Sequence, residues 1–168
     1  MIHPATIKDA PAISYIHAAS WKVAYQALLP QEYLDHLSYD FWVEAFTNWI
    51  STGQMTAKLI YDQQTPVGCV AYCKSRDASL ANWGEIVSIY LLPQYFGTGL
   101  GKMLMHCALA DLKQQGFSNI YLWVLEGNRR AISFYEKSGF IRTNDKIKMD
   151  VGGKEITDIR YIYSFDRK

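Results

Sequence analysis

The sequence predicts an α/β fold, of the α+β kind, in which helices flank a central twisted mixed sheet. Residues 55–74 and 140–165 each contain two β-patterned runs around a short turn, which is typical of antiparallel hairpins. Two apolar runs, 86–92 and 120–125, are joined instead by a helical segment, and this order indicates a parallel pair with a right-handed crossover. The predicted sheet is therefore mostly antiparallel with one parallel strand pair.

The first third of the chain is predicted to contain one strand and three helices. Residues 2–8 have the pattern of a strand, and residues 10–25 carry apolar side chains at helical spacing, with Asp9 as a candidate N-cap. Segments 31–37 and 40–51 are also predicted to be helical, and we interpret their aromatic residues as core packing or, alternatively, as walls of an acceptor pocket. These residues are Tyr33, Tyr39, Phe41, Trp42, Phe46 and Trp49.

A glycine loop lies between a predicted strand and a predicted helix. The strand at 82–92 leads into Pro-Gln-Tyr-Phe-Gly-Thr-Gly-Leu-Gly at 93–101, and residues 102–115 have the apolar spacing of a helix. The first N–H groups of a helix have no intrahelical partners and lie at the positive end of its dipole, so their natural ligand is a phosphate or pyrophosphate. The parallel crossover puts this loop at the carboxyl end of the sheet, where ligands bind.

Two common nucleotide loops do not fit this spacing. A dinucleotide loop needs glycine where Lys102 stands, and a phosphate loop needs glycine and a hydroxyl residue where Phe96 and Met103 stand. A doubly wound nucleotide-binding protein is therefore left only as an alternative drawn from fold analogy.

A second segment of interest follows the strand at 120–125. Asn128 can cap a short helix that Gly139 ends, and helical spacing places Asn128 and Tyr135 on one face. A hairpin with a turn at 152–153 is predicted to complete the chain.

Composition favours one globular domain over residues 1–168. Hydrophobic residues make up 49% of the chain and the net charge is +1, with no basic block that would follow nucleic acid. The three cysteines and four histidines have no metal-ligand spacing, so we expect no metal. No apolar run is long enough to span a membrane and the first residues do not resemble a signal peptide, so we expect a cytoplasmic protein without a membrane partner.

Two motifs resemble one family. The segment 96–101 is similar to the pattern Gln/Arg-x-x-Gly-x-Gly/Ala of the GCN5-related N-acetyltransferases, with Gly99 and Gly101 matching and Phe96 departing from it. The segment 128–140, Asn-x-x-Ala-x-x-Phe-Tyr-x-x-x-Gly-Phe, closely resembles the second coenzyme-binding segment of the same family. The resemblance covers most of the chain and is firmest over about 83–141, the expected coenzyme-binding core.

The resemblance implies the GNAT (acyl-CoA N-acyltransferase) fold and a reaction. The expected enzyme transfers an acetyl group from acetyl-CoA, its cosubstrate, to a primary amine of a small molecule or peptide by direct attack. Backbone groups of Ile89, Tyr90 and Leu91 would lie along the pantetheine arm, and Asn128 would reach the coenzyme. The N–H groups that would hold the pyrophosphate belong to Gly97, Thr98, Gly99, Leu100, Gly101 and Lys102.

Tyr135 is, by the same resemblance, the hydroxyl that protonates the departing thiolate. Its ordinary pKa of about 10 keeps it protonated at neutral pH. We expect Glu85 to be the base that takes the proton of the acceptor ammonium, directly or through water, with a plain solvated carboxylate as the alternative. Trp123 stands where members that acetylate protein N-termini carry Glu, which argues against that subgroup.

A second hypothesis, motivated by Phe96 and by the unsettled base, is a non-catalytic domain that binds and senses acyl-CoA. Related proteins are often homodimers, but no residue of this sequence decides between monomer and homodimer.

Overall fold

The structure is a computed structural model that describes residues 1–166. Its strands and helices are β1 Ile2–Pro4, α1 Ala10–Ala24, α2 Gln31–His36, α3 Val43–Ser51, β2 Thr56–Asp62, β3 Thr65–Lys74, β4 Gly84–Leu91, α4 Leu100–Gln114, β5 Asn119–Leu125, α5 Arg129–Lys137, β6 Ile141–Val151 and β7 Lys154–Ser164. The single-domain prediction extends to residue 168, and its last two residues lie outside the described part.

Over residues 1–166 the strands form a single seven-stranded sheet in the order β1-β2-β3-β4-β5-β7-β6. Within this described range only β4 and β5 pair in parallel, and every other neighbouring pair is antiparallel. The predicted mixed sheet with one parallel pair is therefore confirmed. The final hairpin inserts β7 between β5 and β6, so that the last strand of the chain lies inside the sheet.

The beginning of the chain differs from the prediction. β1 ends at Pro4 and a short 3-10 turn occupies 7–9, so the strand predicted over 2–8 is shorter. Asp9 stands before α1 but does not cap it, because its carboxylate accepts hydrogen bonds from the backbone N–H of Thr6 at 2.7 Å and from the Thr6 hydroxyl at 2.9 Å. This carboxylate therefore stabilises the preceding turn.

The parallel pair is short, and this determines where the sheet opens. Register between β4 and β5 covers only Gly84 with Ile120 and Glu85 with Tyr121, although both strands continue beyond these residues. On its other side β4 has a register shift against β3, since Ala71 pairs with Ser88 and the next residue with Ile86. The extra residue is a β-bulge, which bends the strand. The two parallel strands therefore diverge towards their carboxyl ends.

Tight packing holds the two strands together where they do pair. A Cβ added at Gly84 would lie 2.8 Å from the Ile120 side chain and 3.0 Å from that of Leu112 on α4. Leu112 belongs to the buried stripe of α4, and Ile120 is also fully buried. Only glycine fits between these side chains, so the sheet is closed at this end and open at the other.

Within residues 1–166, no helix combines the length and the apolar character needed to cross a membrane.

Candidate active site

A cavity of about 540 Å³ opens where β4 and β5 diverge. Its walls come from β4, the glycine loop, α1, β5 and α5. Most of the coenzyme and catalytic residues predicted from the sequence lie together in it: Ile89, Tyr90, Leu91, Gly97, Gly99, Gly101, Lys102, Asn128 and Tyr135. Thr98, Leu100 and Glu85 do not line it.

The glycine loop presents the amino end of α4 to this cavity. Gly97 and Gly99 have φ values of +77° and +89°, a left-handed conformation that glycine adopts without strain. The Thr98 hydroxyl donates to the carbonyl of Tyr95 at 2.7 Å, so this side chain braces the loop from the side away from the cavity. The first N–H groups of α4 have no intrahelical acceptor and are available to an anion.

Three cationic side chains belong to the cavity wall. Lys102 and Lys137 line it, and the guanidinium carbon of Arg130 lies 3.6 Å from the centre of the Phe96 ring. Phe96 occupies the position where the family motif has Gln or Arg. Its ring therefore supports a guanidinium that comes from α5, and a positive charge is present at the loop although residue 96 is apolar. Arg130 was not singled out from the sequence, although it lies two residues after Asn128.

Asn128 begins α5, and its side-chain oxygen accepts from the N–H of Ala131 at 3.3 Å. The predicted cap is therefore present. The resulting helix carries Tyr135 into the cavity from the same face.

Three phenols meet in the middle of the cavity. The Tyr90 hydroxyl accepts a hydrogen bond from Trp21 Nε1 at 3.0 Å and lies 3.1 Å from the Tyr25 hydroxyl. Burial raises the pKa of Tyr135, and the nearby Tyr25 raises it further, so the phenol stays protonated. Among residues 1–166 its hydroxyl has no hydrogen-bond partner, which leaves it available to a bound group.

His17 packs against Ser88 and Tyr90, two residues of β4 that line the cavity. Its imidazole lies 3.3 Å from the Ser88 hydroxyl, and its ring centre is 4.6 Å from that of Tyr90. Burial lowers the pKa of His17 to about 3, so the imidazole is neutral at physiological pH. This residue was one of four scattered histidines in the sequence, and only the packing of α1 against β4 shows its position.

The aromatic residues predicted on α2 and α3 serve mainly the core. Phe46 is buried, and Trp42 and Trp49 pack against the same cluster, whereas Tyr39 and Phe41 are exposed. None of the six named from the sequence lines the cavity. Its aromatic walls come instead from Tyr25, Tyr90, Phe96, Trp123, Phe134 and Tyr135.

Glu85 forms an ion pair that the sequence did not indicate. Its side chain is 3% exposed, and its two oxygens accept from the Arg76 guanidinium at 2.6 and 3.0 Å and from the Tyr121 hydroxyl at 2.7 Å. Burial alone would raise the pKa of Glu85, but the hydrogen bonds from Arg76 and Tyr121 outweigh it and lower the pKa. These contacts favour a charged, structural carboxylate, and its use as a base stays a prediction.

Comparison with known proteins adds the following similarities. Residues 21–140 match the model of the acetyltransferase (GNAT) family. The chain is 29% identical over 136 residues to the uncharacterized N-acetyltransferase YuaI of Bacillus subtilis, covering 80% of this chain and 76% of that protein. It is 26% identical over 144 residues to a spermidine N(1)-acetyltransferase of Thermoplasma acidophilum, covering 83% of this chain and 86% of that protein.

Among solved structures, the PaiA N-acetyltransferase of Thermoplasma acidophilum in complex with coenzyme A is similar over 98% of both chains. The TM-score is 0.77 and the sequence identity 22%. This likeness shows that the two chains share a fold.

We predict that Glu85→Gln lowers the free energy of unfolding at pH 7 by about 1–3 kcal/mol, because Arg76 and Tyr121 lose a charged acceptor. The folded-state pKa lies below the ordinary value of 4.5, so the contribution is complete above that pH and is lost as the pH falls through the folded-state pKa. Urea denaturation of both proteins from pH 7 down to about pH 3 measures this difference.

The matched control is Glu155→Gln, which breaks an ion pair whose side chains are 66% and 67% exposed and should cost about 0–1 kcal/mol. Unchanged stability of Glu85→Gln together with abolished acetyl transfer would instead support Glu85 as the base.

We further predict that His17 makes stability fall with acidification. Its folded-state pKa of about 3 is below the ordinary 6.5, so the unfolded chain binds the proton more readily between these values. The free energy of unfolding should therefore decrease by up to about 1.4 kcal/mol per pH unit below pH 6 from this group. His17→Gln should remove that part of the slope, whereas His106→Gln, at an exposed position on α4, should keep it. An unchanged slope in His17→Gln would contradict the prediction.

Proposed function

Because the chain belongs to the acetyltransferase (GNAT) family, we propose that it binds acetyl-CoA in this cavity and passes the acetyl group directly to the amine of a small molecule. It is an acetyl-CoA-dependent N-acetyltransferase with the fold of that family. The observation that carries the proposal is the Tyr135 hydroxyl, which lines the cavity without a partner in the described part of the chain.

The coenzyme would bind along the opened edge of β4. The outer edge of this strand is no longer paired beyond Glu85, so the backbone groups of Ile89, Tyr90 and Leu91 can bind the pantetheine arm as a further strand would. One acceptor of this segment is already used, because the carbonyl of Leu91 accepts a hydrogen bond from the Ser20 hydroxyl. We propose that Asn128, at the N-terminal end of α5, contacts the coenzyme, as the sequence predicts.

The pyrophosphate would occupy the amino end of α4. The free N–H groups of this helix, Lys102 in its first turn and Arg130 on the Phe96 ring suit a dianionic group, and Lys137 adds a further positive charge to the cavity wall. Thr98 and Leu100 would contribute through their backbone alone, since their side chains do not line the cavity.

The acceptor amine would attack the thioester carbonyl from the side of Tyr25 and Tyr90. The sulfur gains negative charge as the C–S bond breaks, and the Tyr135 hydroxyl donates a hydrogen bond to it. The pKa of a free thiol, about 8.5, is well below that of this phenol. Tyr135 therefore stabilises the thiolate mainly by hydrogen bonding, and the proton that remains on sulfur comes ultimately from the amine.

A small-molecule acceptor is supported by the relative named as a spermidine N(1)-acetyltransferase, and a peptide amine is the second candidate. An acetyl-CoA sensor without turnover has no support from these relatives. A single domain over 1–168 and a cytoplasmic location stay predictions. The choice between monomer and homodimer stays open.

The test of the proposal is release of thiol from acetyl-CoA, measured with a thiol-reactive dye against spermidine, other polyamines, amino acids, aminoglycosides and short peptides. We expect Tyr135→Phe to lower kcat about 100-fold with the best acceptor while coenzyme affinity changes little, because the lost hydrogen bond acts on the developing thiolate. Tyr163→Phe, a half-buried tyrosine on β7 outside the cavity, is the control. Equal rates in wild type and Tyr135→Phe would remove Tyr135 from the mechanism.

We also predict that Arg130→Ala weakens acetyl-CoA binding about tenfold or more, since it removes a charged donor from the pyrophosphate end. Arg129→Ala, which alters the adjacent residue outside the main cavity, should have a smaller effect. Titration calorimetry with acetyl-CoA and with acetyl-pantetheine separates the causes, because acetyl-pantetheine has no pyrophosphate. An equal loss with both ligands would contradict a contact between Arg130 and the phosphates.

A further inference from the structure

We propose that Asp158 pairs with the ammonium group of the acceptor and takes its proton. This inference rests on the acetyl transfer proposed above and names the acceptor as a cationic alkylamine. It also assigns the role of base to a residue that the sequence did not single out.

Asp158 is a half-buried carboxylate without a hydrogen bond or ion pair to any residue among 1–166. Every other buried or half-buried carboxylate in that range has a partner: Asp9 has Thr6, Asp77 has Arg160, Glu85 has Arg76, and Asp111 has Lys58. A charge that is removed from water without a partner destabilises the folded protein. Burial accordingly raises the pKa of Asp158. A ligand of positive charge would supply the missing partner.

The sheet places Asp158 on the same face as one cavity residue, although Asp158 itself is not among the residues that line the cavity. Asp158 pairs with Leu125 at the end of β5, and side chains alternate along a strand, so it shares a sheet face with Trp123, which lines the cavity. Tyr25, which follows α1, packs against the cluster that contains Leu125, the register partner of Asp158. Burial raises the pKa of Tyr25, the hydrogen bond with Tyr90 lowers it, the Asp158 carboxylate raises it, and Arg130 and Asn128 lower it.

Among residues 1–166, no cationic side chain pairs with Asp158. Arg160 lies on the same face of β7, but its guanidinium is paired with Asp77 at 2.7 Å and lies 3.5 Å from Asp145. The other cations of the cavity, Lys102, Arg130 and Lys137, belong to the walls of the loop and α5. These cations lie in the cavity wall, whereas Asp158 lies outside the lining, and Tyr25 is the residue on which both Arg130 and Asp158 act electrostatically.

An unpartnered carboxylate next to the cavity suits the acceptor of the reaction. An alkylammonium has no lone pair at neutral pH, and the residues that line the cavity include no carboxylate. Asp158 would hold the ammonium by an ion pair and accept its first proton, which leaves a neutral amine. The amine forms the C–N bond, the C–S bond breaks, and the second nitrogen proton passes to sulfur beside Tyr135. One proton thus ends on Asp158 and one on the thiol, and the amide and coenzyme A are released.

The first experimental arm measures binding without turnover. Titration calorimetry of n-butylamine and 1,4-diaminobutane is carried out on protein saturated with coenzyme A, comparing wild type, Asp158→Asn and Asp150→Asn. Asp150 is an exposed aspartate of β6 in the same hairpin and serves as the matched control. We expect Asp158→Asn to bind both amines at least about tenfold more weakly and Asp150→Asn to bind them as wild type does. Equal binding by Asp158→Asn, or no binding of either amine by wild type, would overturn the proposal.

The second arm compares a charged with an uncharged nucleophile. Thiol release from acetyl-CoA is measured with n-butylamine, which is protonated at pH 7, and with methoxyamine, which is not. Asp158→Asn should lower kcat/KM at least about tenfold with n-butylamine and less than about twofold with methoxyamine. An equal loss with both nucleophiles would show a structural role and contradict the assignment.

The free energy of unfolding also separates a role of Asp158 as base from a purely structural role. Removing an unpaired half-buried charge should leave the free energy of unfolding of Asp158→Asn equal to or above that of wild type in urea. Failure of wild type to release thiol with any amine would count against acetyl transfer itself, whereas the binding arm decides the role of Asp158 independently.

Discussion

The site depends on one feature of the sheet, the short parallel pairing of β4 with β5. At Gly84 the two strands pack closely, because a glycine has no side chain that would collide with Ile120 and Leu112. Past Glu85 they separate, and the bulge on the other side of β4 bends it in the same region. A fully paired sheet would have no free edge there, so the cavity, the exposed backbone of β4 and the access of α5 all follow from this interruption.

Charge is distributed along the cavity in a way that suits a reaction between an anionic coenzyme and an amine. The amino end of α4, together with Arg130 supported on Phe96, makes one end positive. Phenols occupy the middle, where burial keeps Tyr135 protonated. Tyr25 also lines the cavity, and Asp158, which has no side-chain partner among residues 1–166, lies outside the lining but acts electrostatically on Tyr25. Neutral His17 behind Tyr90 adds no charge to the wall, because its burial disfavours the imidazolium.

Glu85 and Asp158 show that the residue type alone does not predict the chemical role of a carboxylate. Glu85 attracts attention in the sequence because it precedes the coenzyme-binding residues on the central strand, yet Arg76 and Tyr121 bind both of its oxygens. Asp158 lies in the final hairpin, where no sequence motif singles it out. Which of the two acidic residues is paired depends on residues outside its own strand, such as Arg76 and Tyr121 for Glu85, and the hydrophobic pattern of the strand does not show them.

Sequence alone determined the parts that depend on local chemistry. Hydrophobic periodicity and turn residues located both hairpins and the crossover, and the glycine spacing predicted an anion site at α4. A cap and helical spacing put Asn128 and Tyr135 on one face, and the family resemblance predicted their roles. Tertiary structure decided the rest. Four features depend on residues from separate parts of the fold. They are the stack of Arg130 on Phe96, the contacts of Glu85 with Arg76 and Tyr121, the burial of His17, and the lack of a partner for Asp158 among residues 1–166. Such contacts arise only when the sheet brings those elements together, because side-chain pairing and desolvation are properties of the packed chain.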